Sequence, residues 1–362
     1  MTPFRMEKTK LKKQVHIDSH TLNFTIVLLV AILVLLLMTG VYFITIAVSG
    51  NGLAGFDGND STAVSGDATY PYRQEISVAV PEITDDTVTI SARTDSSTDG
   101  IYSEFAALID VTDNKVVASR KGTKDIYPAS MTKVMTLIVT IENLKTEDSM
   151  NDKIVISSDV VEDMVAEGAS GIGFEAGTTL TVRDLLYALI LKSDGVAAIS
   201  LAEYVAGSES AFVDLMNAKA EELGMEDTVF KNCTGLHEDY FISSCRDIGV
   251  MMSYAMKNTF CAEILSAYSY RTVNEQFPDG ITLYHATLVT RLHNDMAGKK
   301  ISPNTVEVSA AKSGWTGSDS GYCLVSFATG KNGHKYVLVT AKAETVTGTI
   351  EDLLYVYNNF AE

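Results

Sequence analysis

The sequence of 362 residues has few cysteines and a single tryptophan. Four cysteines are too few for a disulfide scaffold in a chain of this length. Cys233 and Cys245 could form one bridge, and buried free thiols are an equally good interpretation. No group of cysteines and histidines has the spacing of a zinc site, so we predict no metal and no cofactor.

Basic residues are also scarce, since 28 lysines and arginines face 46 aspartates and glutamates for a net charge of −18. An acidic chain of this kind argues against a nucleic-acid partner. Hydrophobic residues make up 46% of the chain, which excludes general disorder and is ample for a large core.

Charged residues are absent from the 25 positions Phe24–Val48. At about 1.5 Å per residue, a helix of this length exceeds the roughly 30 Å hydrocarbon core of a bilayer. A cleavable signal peptide is the alternative, because Ala47-Val48-Ser49 offers small residues, but its apolar region usually has only about 7–15 residues. Basic residues before the span predict a single-pass protein of the cell membrane, with the N-terminus cytoplasmic and the remainder extracytoplasmic.

The composition changes again after the span. Residues 49–75 are rich in Gly, Ser, Asp and Thr, which is typical of a flexible tether, and we expect the folded domain to begin near Tyr102. The predicted organisation is a cytoplasmic tail at 1–21, a transmembrane helix at 22–48, an extracytoplasmic linker at 49–101 and a catalytic domain at 102–362.

The folded part has strand patterns at both ends and helical patterns between them. Strands are predicted at Phe105–Asp110, Lys115–Ser119, Val306–Ser313, Tyr322–Phe327 and Tyr336–Ala341. Helices are predicted from Ser130, from Thr181 with Asp184 as its capping-box partner, over 208–223 and over Ile350–Phe360. This order predicts an α+β fold, in which distant segments complete an antiparallel sheet and a helical lobe is inserted into it.

Ser130 lies at the start of an apolar helical pattern, with Lys133 one turn later. A serine in this position is often only an N-cap. A capping box would place Glu or Gln three residues on, and the helix dipole disfavours a cation there, so Lys133 breaks a local rule. Its amine can reach the Ser130 hydroxyl, and burial would lower the pKa of that amine. The pair therefore predicts a nucleophile with its base.

Two other short segments stand at predicted element boundaries. Ser193-Asp194-Gly195 separates two apolar helical stretches, and alone it is best explained as a turn. Lys312-Ser313-Gly314 ends a predicted strand and leads into Trp315-Thr316, which alone describes a lysine before a glycine turn. Their occurrence together with Ser130 and Lys133, in this order, favours a proton shuttle at Ser193 and an anion site at Lys312.

With these segments the chain resembles the serine D-alanyl-D-alanine carboxypeptidases, the low-molecular-weight penicillin-binding proteins of the β-lactamase and transpeptidase superfamily. They share Ser-x-x-Lys, Ser-x-Asn and Lys-Thr/Ser-Gly signatures with class A β-lactamases. The resemblance covers about 102–362. It is also carried by Tyr127–Lys133, Leu185–Leu189, Asn232–Leu236 and Gly321–Leu324.

The resemblance implies a β-lactamase or DD-peptidase-like fold and a role for each matching residue. Ser130 would attack the carbonyl between two terminal D-alanines of a peptidoglycan stem peptide, while Lys133 accepts its proton and Ser193 passes a proton to the leaving amine. Lys312 and Ser313 would bind the substrate carboxylate, Gly314 would let substrate lie alongside, and Thr316 would complete the substrate-binding segment. Backbone amides of Ser130 and Trp315 would form the oxyanion hole. β-Lactam antibiotics are the implied covalent inhibitors.

The chain departs from the pattern at Gly195, where the family has Asn, and Asp194 or a water is the candidate replacement. This departure keeps a catalytically weak penicillin sensor or wall-binding protein open as an alternative. A class A β-lactamase is the other alternative, but its deacylating Glu-x-x-Leu-Asn segment does not occur between the second and third motifs.

Overall fold

The structure, a computed structural model, describes residues 70–94, 99–288 and 303–362. The predicted cytoplasmic tail and the transmembrane helix at 22–48 lie outside the described residues. Within the described ranges no single helix is long and apolar enough to cross a membrane; one bent pair, Gly195–Ala206 with Glu209–Glu222 at 84°, meets the length and composition criteria together.

A six-stranded sheet forms the centre of the domain. In their order across the sheet, its strands are β1 (Val88–Thr89), β3 (Lys115–Arg120), β2 (Phe105–Asp110), β10 (Lys335–Ala343), β9 (Tyr322–Gly330) and β8 (Val306–Gly314). All its neighbours are antiparallel except β1, which pairs in parallel with β3. The expectation of a purely antiparallel sheet is therefore corrected to a mixed one.

The other elements lie between β3 and β8 or after β10. The helices are α1 (Lys133–Glu142), α2 (Ser158–Ala166), α3 (Val182–Leu191), α4 (Gly195–Ala206), α5 (Glu209–Glu222), α6 (Cys245–Lys257), α7 (Thr259–Leu265) and α8 (Val346–Phe360). Two small hairpins are formed by β4 (Lys153–Val155) with β5 (Thr179–Thr181) and by β6 (Ser269–Thr272) with β7 (Ile281–Tyr284).

The strands of the sheet place alternate side chains in two separate cores, as the two-residue period of a strand requires. On one face Ala107 and Val339 join the core of the helical lobe, against which α6 packs. On the other face Leu108 and Leu338 pack with α8. The sheet is thus covered on both sides, and its strands are apolar along most of their length.

The capping box predicted at Thr181 is present: Asp184 N donates to the Thr181 hydroxyl, and Asp184 Oδ2 accepts from Thr181 N. Helix α1 is buried over its whole length and contacts α3, α4, α5 and α6. A central helix surrounded in this way holds its first residue, Lys133, in a fixed position between the lobe and the sheet.

Part of the segment predicted as linker packs on the domain. The Tyr72 ring is buried against Phe260 in an edge-to-face contact, and its hydroxyl donates to the Glu147 carbonyl at 2.6 Å. Ile90 and Ile101 are also buried. Packing therefore begins at least as early as Tyr72, well before the expected start near Tyr102.

Candidate active site

Ser130 lies in a 3-10 turn, Ala129–Thr132, that leads directly into α1. Its hydroxyl makes no capping hydrogen bond, so the N-cap interpretation of this serine is wrong. Ala129 adopts the left-handed region at φ 48°, a conformation that costs an L-residue roughly 1–3 kcal/mol and that clusters at functional sites. This 3-10 turn directs the Ser130 hydroxyl toward the residue three positions later in the chain.

That residue is Lys133, whose Nζ atom lies 3.3 Å from Ser130 Oγ. The same amine donates to the carbonyl oxygen of Thr234 at 2.5 Å. Lys133 is only 3% exposed, and burial lowers its pKa to about 8, against a smaller opposing effect of Cys233 and Asp194. An amine with this pKa is partly neutral near neutrality and can accept a proton.

Ser193 lies between α3 and α4, also in the left-handed region at φ 57°. Its hydroxyl oxygen accepts a hydrogen bond from Lys312 Nζ at 3.0 Å, across 119 residues of sequence. This hydrogen bond joins the second motif to the third. The charged group that contacts the Ser193 oxygen is the Lys312 ammonium and not a histidine.

Lys312 lies two residues before the end of β8 in a buried position, 2% exposed, and its Nζ atom also donates to the Ser313 carbonyl at 2.8 Å. The Ser313 hydroxyl accepts from Thr287 Oγ1 at 3.1 Å. Gly314 touches the nucleophile's turn, because a Cβ atom there would lie 2.9 Å from Ser130 N. The close approach requires glycine and brings all three motifs into one region.

The two residues after Gly314 have different environments. Trp315 is 56% exposed, and its ring stacks on Tyr322 with centroids 6.0 Å apart. Thr316 N donates to Ser320 Oγ at 2.8 Å, while Thr316 Oγ1 is buried without a partner in the described part of the chain. The segment that follows β8 is thus held by its contacts with Tyr322 and Ser320.

Three contributors were not assigned from the sequence. The Thr234 carbonyl holds Lys133, and Gly235 packs so tightly that a Cβ atom there would meet Ala129 O at 2.1 Å. Both lie in the segment Asn232–Leu236, which the resemblance included without giving it a role. Thr287, which donates to Ser313, had no sequence signal.

His285 holds the backbone of Thr287, the residue whose hydroxyl donates to Ser313 of the third motif. Its Nδ1 atom accepts from the backbone N–H groups of Thr287 and Leu288, both at 3.2 Å. Burial, assisted by the nearby charge of Lys312, lowers the pKa of His285 to about 3, so the ring is neutral at physiological pH. A neutral ring can act as this acceptor, whereas a protonated ring could not.

Asp194 does not stand in for the missing Asn as a hydrogen-bond partner of Lys133. Its Oδ1 accepts from Ala197 N at 2.8 Å as the N-cap of α4, and its Oδ2 accepts from Ile172 N at 2.7 Å. Burial raises the pKa of this carboxyl, which interacts with Lys133 only through charge. A Cβ atom on Gly195 would meet Ala169 Cβ at 2.8 Å, so the usual side chain has no room.

The four cysteines are buried and free, so the Cys233–Cys245 bridge does not form. In the described ranges one group of potential metal ligands is present, formed by Asp110, Asp113 and His334. His334 Nδ1 lies 2.7 Å from Asp110 Oδ2, so an ion pair explains this cluster. It lies at the end of the sheet opposite Gly314 and carries no role in the site.

Curated proteins that are similar in sequence include D-alanyl-D-alanine carboxypeptidases. DacF of Bacillus subtilis is 31% identical over 224 residues, which is 62% of this chain and 53% of the relative. DacC of Escherichia coli is 33% identical over 147 residues, which is 40% of this chain and 37% of the relative. The chain thus spans about half or less of the length of these relatives.

Solved structures share the fold at low identity. A point mutant of the Streptomyces K15 DD-transpeptidase is 22% identical with a TM-score of 0.62, covering 71% of this chain and 97% of the other. A D-alanyl-D-alanine carboxypeptidase from Mycobacterium tuberculosis is 21% identical with a TM-score of 0.61, covering 76% and 93%. The DD-peptidase-like α+β fold is therefore confirmed.

The family model described as Peptidase_S11, D-alanyl-D-alanine carboxypeptidase, matches residues 92–345, more than half of the chain. It includes every motif residue whose position has been described above. The chain belongs to the D-alanyl-D-alanine carboxypeptidase family of serine peptidases.

Proposed function

We propose that this protein is a serine D-Ala-D-Ala carboxypeptidase, which removes the terminal D-alanine of peptidoglycan stem peptides through an acyl-enzyme on Ser130. The main support is the 3.3 Å approach of the buried Lys133 amine to Ser130 Oγ, together with a lowered amine pKa. A hydroxyl beside a neutral amine is an activated nucleophile. Family membership supplies the substrate class.

The reaction begins when Ser130 Oγ attacks the carbonyl carbon and its proton moves to Lys133 Nζ. The backbone N–H groups of Ser130 and Trp315 stabilise the tetrahedral oxyanion, an effect for which losing one donor typically costs about 10²–10³ in rate. The C–N bond then breaks as Ser193 gives its proton to the leaving nitrogen and takes up the proton held on Lys133, which returns that amine to its neutral form. Water attacks the ester and gives a proton to Lys133, the ester C–O bond breaks as Lys133 returns this proton to Ser130 Oγ, and the shortened peptide leaves.

The substrate's C-terminal carboxylate binds at Lys312 Nζ and the Ser313 hydroxyl. Lys312 is buried, so its charge acts in a poorly screened environment, and Thr287 fixes the position of the Ser313 oxygen. Beside them the peptide lies along Gly314, which has no side chain to obstruct it, and past Trp315 and Thr316. A charge-assisted contact of this kind selects peptides with a free C-terminus.

We extend the proposal to location. The uncharged stretch Phe24–Val48 anchors the protein in the cell membrane as a single span, and the basic residues before it hold the N-terminus in the cytoplasm. The catalytic domain then faces the extracytoplasmic space, where peptidoglycan and β-lactams are met. Alkaline extraction of membranes, followed by protease protection of each terminus, tests this arrangement.

Two measurements test the function. A fluorescent penicillin should label wild-type protein and a Ser158→Ala control on exposed α2, but not Ser130→Ala. The wild-type protein should also release D-alanine from a pentapeptide.

The absence of an amide side chain at Gly195 favours a penicillin sensor as the second candidate function. A sensor would be labelled on Ser130 and would release no D-alanine. Labelling that survives Ser130→Ala would refute both.

A further inference from the structure

The loop between α2 and β5 lies against the second motif. Ile172 N donates to Asp194 Oδ2 at 2.7 Å. Gly195 N donates to the Ser170 carbonyl at 2.8 Å. Both bonds hold the residues that directly follow Ser193, which itself lies in the left-handed region at φ 57°. An L-residue keeps such a conformation only where the surrounding contacts over-determine it, so the loop is one of the supports of the Ser193 turn.

This loop has little internal structure of its own. Four of the eleven residues at 167–177 are glycines, the residue type that loses the most conformational freedom on folding. The loop contains no helix or strand, and Phe174 is its buried side chain, at 2% exposed. The conformation of the backbone beside Phe174 therefore depends on contacts with other segments.

One side chain, that of Gln276, supplies such contacts on both sides of Phe174. Its Nε2 atom donates to the Gly173 carbonyl at 2.9 Å, and its Oε1 atom accepts from Glu175 N at 3.2 Å. Gln276 lies at the tip of the hairpin formed by β6 and β7, where the Asn274 side chain accepts from Gln276 N at 3.0 Å and fixes the turn. The glutamine amide thus pairs with the loop backbone as a neighbouring strand would.

The chain that follows β7 also contacts the Ser193 turn. Ala286 N donates at 3.0 Å to the carbonyl of Leu191, the last residue of α3 and two residues before Ser193. The next residue, Thr287, donates to Ser313 of the third motif. The segment from β6 to Thr287 therefore joins the second motif to the third at its base and holds the supporting loop with its tip.

We infer that Gln276 is a positioning residue for Ser193, acting through the loop between α2 and β5. The inference rests on the proposed function for the role of Ser193, which gives a proton to the leaving nitrogen. Proton transfer requires a donor within hydrogen-bond reach, and a displacement of about 1 Å can cost roughly 10²-fold in rate. Without the Gln276 amide the loop gains conformational freedom, the Ser193 turn is held less tightly, and this transfer slows.

The leaving group distinguishes this role from a merely structural one. The test compares two peptides that end in D-Ala-D-Ala and in D-Ala-D-lactate. An amide nitrogen must be protonated to leave, whereas the oxygen that leaves from the ester needs less help. Gln276→Met keeps the length of the side chain and removes both hydrogen bonds. We expect it to lower kcat/KM for the amide roughly tenfold and for the ester by at most about twofold.

Two further variants sharpen the comparison. Gln276→Glu keeps the acceptor for Glu175 N and loses the donor to Gly173, so its ratio of amide to ester kcat/KM should be intermediate. Gln74→Met is the matched control, because the Gln74 amide also makes two hydrogen bonds, to the hydroxyl and the N–H of Thr259 at the start of α7. It should keep the wild-type ratio. A ratio that is unchanged in Gln276→Met, or that falls equally in Gln74→Met, would overturn the assignment.

Acylation by a fluorescent penicillin makes the test independent of peptide turnover, because the β-lactam ring also opens through a nitrogen that must accept a proton. Gln276→Met should be acylated roughly tenfold more slowly than the wild type and Gln74→Met. If the wild type hydrolyses neither peptide, the proposed function is refuted, and the acylation rates still decide the role of Gln276. Equal rates in the three proteins would then refute that role as well.

Discussion

The carbonyl oxygen of Thr234 accepts a hydrogen bond from Lys133 Nζ at 2.5 Å, across 101 residues of sequence. Gly235, the next residue, packs against the Ala129 carbonyl and Ser130 N. One short segment therefore contacts both members of the nucleophile pair. It fixes the amine from one side while leaving the Ser130 oxygen 3.3 Å away on the other.

The pKa of Lys133 predicts a specific pH dependence. The lysine pKa falls from 10.5 to about 8 mainly because of burial, so the fraction of neutral amine rises about tenfold per pH unit below 8 and levels off above it. The second-order rate of acylation by a β-lactam should follow this curve. Stopped-flow measurements between pH 6 and about 9.5 test it in the range where the lysine titrates.

The matched variant is Lys133→Arg, because a guanidinium stays protonated throughout this range. It should show little acylation at any pH. A wild-type rate that is flat across pH 8, or an active Lys133→Arg protein, would remove Lys133 as the general base.

Gly235 should be far more sensitive to substitution than another glycine of similar conformation. Gly207, the C-cap of α4, has φ 80° with no atom near its missing Cβ, whereas Gly235 has φ 78° and would place Cβ at 2.1 Å from Ala129 O. We expect Gly207→Ala to cost about 1–2 kcal/mol from backbone strain alone. Gly235→Ala adds a backbone clash and should cost at least about 3 kcal/mol while slowing acylation.

Urea unfolding monitored by circular dichroism gives both free energies, and penicillin labelling of the folded fraction gives the acylation rate. Equal costs for the two variants would mean that the Gly235 contact relaxes freely and does not hold the Ser130 turn.

The three motifs could be predicted from the sequence because each is a short local segment at the beginning or the end of a periodic pattern. Strands such as β9 and β10 were found from their β-branched and aromatic content, and Thr181 from its capping box. The Thr234 contact was not predictable, because a backbone carbonyl leaves no side-chain signature. The hydrogen bonds from two backbone N–H groups to the Asp194 carboxylate were not predictable either, because they depend on how the helical lobe folds around the turn.

Thr287 should influence substrate affinity through Ser313. Thr287→Val removes the donor to the Ser313 hydroxyl, whose net contribution of about 0.5–1.5 kcal/mol corresponds to roughly a two- to tenfold rise in KM for the peptide. Thr287→Ser keeps a hydroxyl and should rescue KM, because the donor remains. Steady-state D-alanine release provides the values. An unchanged KM in Thr287→Val would show that Ser313 is oriented without this contact.

Gly195→Asn should not restore the family's usual site. The new Cβ would meet Ala169 Cβ at 2.8 Å and Met164 Sδ at 3.0 Å, an overpacking that typically costs about 1–3 kcal/mol. The double variant Gly195→Asn with Ala169→Gly removes the closer obstruction and should recover most of that loss. Urea unfolding of the single and double variants tests this. A single variant as stable as the wild type would show that the neighbours yield readily.

The buried ion pair between Glu142 and Lys219 predicts strong energetic coupling between helices α1 and α5. Glu142 ends α1, and its Oε2 atom lies 2.8 Å from Lys219 Nζ of α5, with side-chain exposures of 1% and 6%. Tyr254 donates to the other oxygen of Glu142. Lys219→Met leaves the Glu142 charge buried without a cation, so it should destabilise the protein by about 3–5 kcal/mol. Glu142→Leu should cost less, because Lys219 keeps a second ion pair with the exposed Glu222 at 2.7 Å.

The double variant leaves no buried charge and should lose much less than the sum of the single losses, since well-packed apolar replacements of buried pairs are often close to neutral. A double-mutant cycle in urea measures the coupling, and penicillin labelling of the folded variants checks that Lys133, nine residues earlier on α1, still reaches Ser130. Losses that simply add would mean that water screens the pair, contrary to its burial.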